Sequence, residues 1–142
     1  MYNKILLPID LNHKQSWDKA LPTALNFCQT YDASLHIVTV LPDFGLPLVG
    51  GFFPRKYAEK AKKAISSDLK AFVAEQVPKG VKVQRIVADG KAYEAILRVA
   101  KKLDVDLIVM ASHKRKRLED YLLGTNALRV VQQSRRSVMI VR

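Results

Sequence analysis

At 142 residues, of which 49% are hydrophobic, the chain can bury the core of one ordinary domain without disulfides or metals. We therefore expect a single domain over residues 1–142. The longest apolar run, LIVMA, is far shorter than the roughly 20 residues of a membrane helix, and the initial MYNK leads straight into a strand rather than a signal peptide. These features predict a soluble, cytoplasmic protein without membrane insertion.

The net charge of +11 is unevenly distributed along the chain. Before Arg55 there are three Lys and Arg residues against four Asp and Glu, and from Arg55 onward there are 21 against nine. This excess indicates an anionic partner, although long cationic side chains can also simply solvate helix surfaces. Cys28 is the only cysteine, which excludes a disulfide framework and a thiolate metal cluster and favours a core role.

The first predicted elements are a strand and a helix. Lys4–Ile9 (KILLPI) is an apolar run suited to a central strand, with Pro8 where the strand leaves its ladder. Ser16 is positioned to cap a helix that runs to about Tyr31. Pro22 would then lie in the second turn and kink this helix.

Two strands and the longest helix follow. Ser34–Leu41 is apolar on both faces and predicts a second strand, and the Pro- and Gly-rich segment Pro42–Pro54 predicts a long loop. Arg55–Gln76 is predicted to be helical, and Val81–Val87 alternates like a half-exposed strand near a sheet edge. The buried stripe of the long helix is predicted to contain Ala61, Ile65, Leu69, Phe72 and Val73.

The last part of the chain repeats the alternation of helix and strand. Ala92–Leu103 is predicted to be helical, and Leu107–Ala111 to be a second central strand. After the loop Ser112–Leu123, a helix is predicted from Thr125 to about Ser134, and Ser137–Val141 is the last strand. The inward residues of that helix are predicted to be Ala127, Val130 and Val131.

This order of elements predicts an α/β fold. Alternating strands and helices imply right-handed crossovers and a parallel sheet. We expect a five-stranded doubly wound sheet with strand order 3-2-1-4-5 and helices on both faces. In such sheets ligands bind beyond the carboxyl ends of the strands where the winding reverses, which places the site near Asp10 and the loop Ser112–Leu123.

The stretch ASHKRKRLEDYLLGTN carries the strongest functional signal. A helix start presents unpaired N–H groups and partial positive charge to an anion, and Gly124 would let a phosphate approach the backbone. Thr125 adds a hydroxyl, Asn126 an amide, and the sequence KRKR four cations that suit phosphate oxygens. The alternative is that Thr125 is only a cap and KRKR only a solvated loop. Asp10 is similarly either a turn residue or an acceptor for a nucleotide amino group or ribose hydroxyl.

The sequences KILLPID, ASHKRKRLEDYLLGTNA and SVMIVR together resemble the universal stress protein family over the whole chain, especially members with an ASH start and a YLLGSNA end. The resemblance implies ATP or ADP bound between the first and fourth strands, with or without Mg²⁺, and a homodimer formed through the last strand, Ser137–Val141. The implied nucleotide-binding residues are Pro8, Asp10, Val40, Ala111, Ser112, His113, Lys114, Arg115, Gly124, Thr125 and Asn126.

The chain departs from the family motif at two glycine positions. Ala111 adds a single methyl group, which still allows a sugar to lie against the strand end. Lys114 is the larger change, because a left-handed backbone costs a residue with a side chain about 1–2 kcal/mol. The loop is therefore expected to have a different shape, while the lysine adds positive charge beside the expected phosphates.

No catalytic or metal-binding constellation stands out in the sequence. His13, His36 and His113 are scattered, and His36 falls within a strand, where a structural role is expected. An approach of His113 to Asp10 would support at most slow ATP hydrolysis. The primary hypothesis is thus a dimeric, nucleotide-dependent stress-response module. The alternative is a scaffold that binds a polyanion or an acidic protein; nucleic acid is not the expected partner, because the cations are not interleaved with aromatic stacking residues.

Overall fold

The structure, a computed structural model, describes residues 1–41, 53–112 and 124–142. Within these ranges the chain forms strands and α-helices in strict alternation, together with a 3₁₀ turn at Lys14–Ser16. In chain order the elements are β1 (Lys4–Ile9), α1 (Ala20–Tyr31), β2 (Ser34–Leu41), α2 (Phe53–Gln76), β3 (Val83–Asp89), α3 (Ala92–Leu103), β4 (Leu107–Ala111), α4 (Gly124–Gln133) and β5 (Ser137–Val141).

The five strands form one parallel sheet in the order β3-β2-β1-β4-β5. The predicted doubly wound topology is therefore confirmed, with β1 and β4 central and β3 and β5 at the edges. Winding proceeds from β1 outward to β3 and then restarts at β4 on the other side of β1. The reversal point consequently lies between β1 and β4.

Side chains of successive strand residues point to opposite faces and build two apolar cores. In β1, Ile5, Leu7 and Ile9 pack on the face covered by α1 and α2, whereas Leu6 packs on the face covered by α3 and α4. All four side chains are at most 2% exposed. This uniform burial explains why β1 is a continuous apolar run rather than an alternating one.

The predicted start of the first helix was wrong. Ser16 ends the 3₁₀ turn, and α1 begins at Ala20. Pro22 is therefore the third residue of α1, where an α-helix has no internal partner for the backbone N–H. The proline removes no helical hydrogen bond, so the predicted reason for a kink does not apply.

Two further details differ from the sequence-based expectation. β3 is displaced by two residues, because Gly80 adopts a φ of +99° in the preceding turn and the ladder with β2 starts at Val83. Val131 is 47% exposed instead of inward, because Ala127 and Val130 alone form the buried stripe of α4. The predicted loop Pro42–Pro54 lies outside the described residues up to residue 52, and its last two residues, Phe53 and Pro54, instead begin α2, which was predicted from Arg55.

Candidate functional site

Pro8 opens the sheet at the point where the winding reverses. The carbonyl of Lys4 accepts a hydrogen bond from the Asp106 N–H, so the backbone groups of Lys4, Leu6 and Pro8 point toward β4. Proline has no N–H to donate at that edge. The register between β1 and β4 accordingly consists of two pairs, Ile5 with Leu107 and Leu6 with Ile108, whereas β1 and β2 are in register over six. The carboxyl ends of β1 and β4 thus lie at the reversal point, which in sheets of this kind borders the ligand-binding crevice.

A compact turn follows β1 and buries Asp10, which is 5% exposed. The Asp10 N–H donates to the Ser16 hydroxyl at 2.8 Å, and Oδ1 of Asp10 accepts the Asn12 N–H at 3.0 Å. The Ser16 hydroxyl lies 3.0 Å from the Asp10 carbonyl oxygen and 2.8 Å from that of His13, and can donate to one or the other. Because Ser16 is itself fully buried, this hydroxyl fixes the turn from inside.

The His13 side chain contacts the Asp10 carboxylate directly. Its Nδ1 lies 2.9 Å from Oδ2 of Asp10. A carboxylate oxygen accepts hydrogen bonds, so Nδ1 of His13 carries a hydrogen and donates this hydrogen bond to Oδ2. Each carboxylate oxygen therefore has one partner among the described residues, and a carboxylate oxygen can accept two hydrogen bonds.

The neighbouring strand ends provide the walls of the crevice. Val40 is half-buried near the end of β2, and Ala111 is buried at the end of β4. Ser112 donates its N–H to the Val141 carbonyl at 2.9 Å, which fixes the backbone just beyond β4. The 3₁₀ turn at Lys14–Ser16 packs against β4, so the Asp10 turn and the end of β4 lie on the same side of the molecule.

The helix expected to receive phosphate begins one residue earlier than predicted, at Gly124. Thr125 is exposed on its first turn. Asn126 is half-buried, and its Oδ1 accepts the Tyr93 N–H at 3.1 Å, so it caps the first turn of α3. The Asn126 side chain therefore has a structural contact in addition to any role toward a ligand.

The structure thus places seven of the predicted residues around one end of the sheet and leaves others undescribed. Pro8, Asp10, Val40, Ala111, Ser112, Thr125 and Asn126 belong to the strand ends, turns and helix start bordering the crevice. Gly124 begins α4. His113, Lys114 and Arg115 lie outside the described residues, as does the expected approach of His113 to Asp10.

Sequence reasoning missed two residues of this site, His13 and Ser16. The signal was present in the stretch DLNHKQS, because Asp three residues before His is a spacing that a turn brings into contact. Ser16 was interpreted as a helix cap, whereas its hydroxyl bonds backward to the Asp10 turn. The predicted ligand residue Asp10 is therefore also the centre of a structural hydrogen-bond network.

The described ranges contain neither a cluster of metal-ligating side chains nor a helix suited to a membrane. Among residues 1–41, 53–112 and 124–142, no three His, Cys, Asp or Glu side chains converge as a metal site would require. Within the same ranges, no helix has both the length and the apolar character required to cross a bilayer.

A doubly wound parallel sheet with an opened β1–β4 crevice defines a class of α/β proteins that bind ligands at strand ends. The sequence comparison narrows this class, since the model of the universal stress protein family matches residues 1–142. The chain belongs to the universal stress protein family. It is 30% identical over 145 residues to universal stress protein MJ0531 of Methanocaldococcus jannaschii, covering all of this chain and 83% of that protein.

Solved structures share the same fold. The hypothetical protein MJ0577 superposes with a TM-score of 0.70 at 26% identity, over 99% of this chain and 96% of that one. A universal stress protein in complex with cAMP has a TM-score of 0.62 at 19% identity, over 99% and 97% of the two chains. The universal stress protein of Archaeoglobus fulgidus in complex with dAMP has a TM-score of 0.64 at 17% identity, over 99% and 98%.

Proposed function

We propose that this universal stress protein is a regulatory module that binds ATP or ADP in the crevice between β1 and β4. The observation that carries the proposal is the early end of the β1–β4 ladder at Pro8, between the buried Asp10 turn and the strand end at Ala111. A base and ribose require such an opening, because a continuous ladder leaves no space between neighbouring strands.

The proposed base site lies beside the Asp10 turn and Val40. The half-buried Val40 side chain offers an apolar surface for a flat ring. The remaining acceptor positions of the Asp10 carboxylate suit an exocyclic amino group, and the small Ala111 side chain leaves room for the ribose. This arrangement favours adenine over a base that presents a carbonyl at that position.

The proposed phosphate site is the first turn of α4. The N–H groups of Gly124 and Thr125 are in the first turn, where the amino end of a helix carries partial positive charge. Lys114 and Arg115 belong to the same proposed site by their place in the sequence. The cAMP and dAMP complexes of two proteins with this fold support an adenine nucleotide as the class of ligand.

We further propose that the module is a homodimer formed through β5. The Val141 carbonyl accepts from Ser112, so Ser137, Met139 and Val141 point their backbone groups toward β4. Val138 and Ile140 therefore direct theirs to the outer edge of the sheet, where a second copy could pair. On α4, which packs on β5, Leu128 and Val131 are 62% and 47% exposed and extend the apolar surface.

A charge reversal on α4 tests the nucleotide site without disturbing the fold. Thr125→Glu places an anion on an exposed helix start, where it suits the helix dipole but repels phosphate. Calorimetry with ATP and ADP, with and without Mg²⁺, should show binding to the wild type and a loss of at least about fivefold in this variant. Gln132→Glu makes the same charge change at the exposed far end of α4 and should bind normally.

Two results would contradict the proposed nucleotide site. Absence of ATP and ADP binding by the wild type at millimolar concentration excludes a nucleotide module. Equal affinities of the Thr125→Glu and Gln132→Glu variants would show that the phosphates do not lie at the start of α4.

A further inference from the structure

The outer edge of β3 presents backbone groups that the rest of the described chain does not use. The Leu35 N–H donates to the Lys82 carbonyl at 2.8 Å, which fixes the parallel ladder so that Lys82, Gln84, Ile86 and Ala88 face β2. The alternate residues Val83, Arg85 and Val87 point their N–H and C=O groups away from the sheet. Within residues 1–41, 53–112 and 124–142, no strand pairs with this edge.

The edge is closed at its carboxyl end and open before it. The Asp89 carbonyl accepts from the Arg98 guanidinium at 2.9 Å, so this outward group is occupied. Within the part of the chain that the structure describes, the outward backbone groups of Val83, Arg85 and Val87 make no hydrogen bond. Unpaired edges of this kind are the usual place where an extended peptide adds to a sheet.

A groove lies directly beside this edge, between α2 and β3. Its volume is about 450 Å³, and its apolar lining residues are Leu69 and Val87, of which only Val87 exposes surface. Leu69 is fully buried and Val87 half-buried, so the groove reaches the core cluster under α2. A volume of this size accommodates one or two apolar side chains in addition to water.

The rim of the groove is positively charged. Lys62, Lys63 and Arg85 line it, against a single acidic residue, Glu59. All four are exposed, and the excess of two positive charges favours an acidic occupant. Part of the cationic excess that follows Arg55 in the sequence is therefore located at the rim of this groove.

The free edge and the groove form one continuous surface. Odd-numbered residues of β3 direct side chains toward α2, since Arg85 and Val87 line the groove while Ile86 and Ala88 pack on the opposite core. A strand added beside β3 lies about 4.8 Å away and presents every second side chain to the same groove. Backbone pairing, apolar contacts and charge would therefore act on one ligand.

We propose that the β3 edge and the α2–β3 groove bind an extended acidic peptide segment of a partner protein by strand addition. Every second side chain of the bound peptide faces the groove. Along the peptide, these side chains are in turn acidic, to meet Lys62, Lys63 and Arg85, and apolar, to enter the groove. The surface lies on the far side of β2 from the β1–β4 crevice, so this proposal is independent of nucleotide binding.

Fluorescence anisotropy with a designed peptide tests the charge and groove contacts. The probe is a labelled peptide of about nine residues, which is long enough to span β3. Its sequence repeats the unit Glu-Thr-Val-Thr. We expect the wild type to bind it and the Lys62→Glu/Lys63→Glu variant to lose at least about tenfold in affinity. Lys60→Glu/Lys79→Glu is the control, since both residues are exposed, neither lines the groove and the net charge change is identical.

Hydrogen exchange tests strand addition itself. The peptide should slow exchange of the Val83, Arg85 and Val87 amides, while those of Gln84 and Ile86 are already protected by β2. Arg85→Ala removes only the cation, whereas Arg85→Pro also removes the outward N–H, so the proline variant should bind more weakly than the alanine variant.

Three results would overturn the proposal. One is absence of binding of the peptide to the wild type, and another is binding without protection of the three outward amides. The third is preferential binding of a DNA oligonucleotide, with the same sensitivity to Lys62→Glu/Lys63→Glu, which would assign the surface to a polyanion without strand addition.

Discussion

The Asn126 side chain links the starts of two helices, because its Oδ1 lies 3.1 Å from the backbone nitrogen of Tyr93. The same pair of helices is joined by the Arg129 guanidinium, which lies 4.8 Å from the centre of the Tyr93 ring. α4 therefore begins in a position set by α3. A ligand at the first turn of α4 would act on a helix that is already anchored.

Asn126→Ala should destabilise the protein by about 0.5–2 kcal/mol, because the Tyr93 N–H loses its capping acceptor. Asn126→Asp keeps an oxygen at the same position and should retain most of the stability, as thermal unfolding would show. The two variants also separate structure from ligand contact. If Asn126 donates to phosphate, the aspartate variant should fold normally yet bind ATP more weakly than the wild type does.

Ser16→Ala should cost about 1–3 kcal/mol, because the Asp10 N–H would be left buried without an acceptor. Thr23→Ala serves as the control, since the Thr23 hydroxyl makes an exposed bond to the Lys19 carbonyl. Its effect should stay within about 0.5 kcal/mol. Equal losses in urea unfolding would contradict the role assigned to Ser16 in the turn.

Burial raises the pKa of the Cys28 thiol from 9.0 to about 11. The folded state therefore favours the neutral thiol, and this contribution to stability is complete below pH 9 and is lost as the pH rises through about 11. Relative to Cys28→Ala, the wild type should lose stability over that interval. A constant difference between the two unfolding free energies from pH 8 to pH 11 would contradict this.

Most of the fold could be predicted from the sequence, because the hydrophobic pattern of most segments matches the way in which those segments pack in the structure. β1, β2, β4 and β5 have the predicted bounds, since their apolar runs are ended by a polar residue or, after β2, by Pro42. The order of strands and helices then leaves few topologies. β3 was placed two residues too early, because Val81 looks like a strand residue in sequence while the Gly80 turn delays pairing until Val83.

The candidate site was harder to predict, because its polar contacts depend on turns. The turn that joins Asp10, His13 and Ser16 is fixed by side-chain bonds to backbone and by the His13–Asp10 side-chain contact, which periodicity does not reveal. Val131 illustrates the same difficulty on α4. Its exposure depends on how much of the helix the sheet covers, and an apolar residue next to a buried stripe is compatible with either outcome.

The assembly proposal can be tested with one residue at the edge of β5. Ile140→Pro removes an outward N–H that pairing with a second copy would use, and edge strands tolerate proline at such positions. Light scattering should therefore report a dimer for the wild type and for Ile140→Val, which keeps the N–H, but a folded monomer for Ile140→Pro. A wild-type monomer at tens of micromolar, or an unaltered dimer in the proline variant, would show that β5 is not the interface.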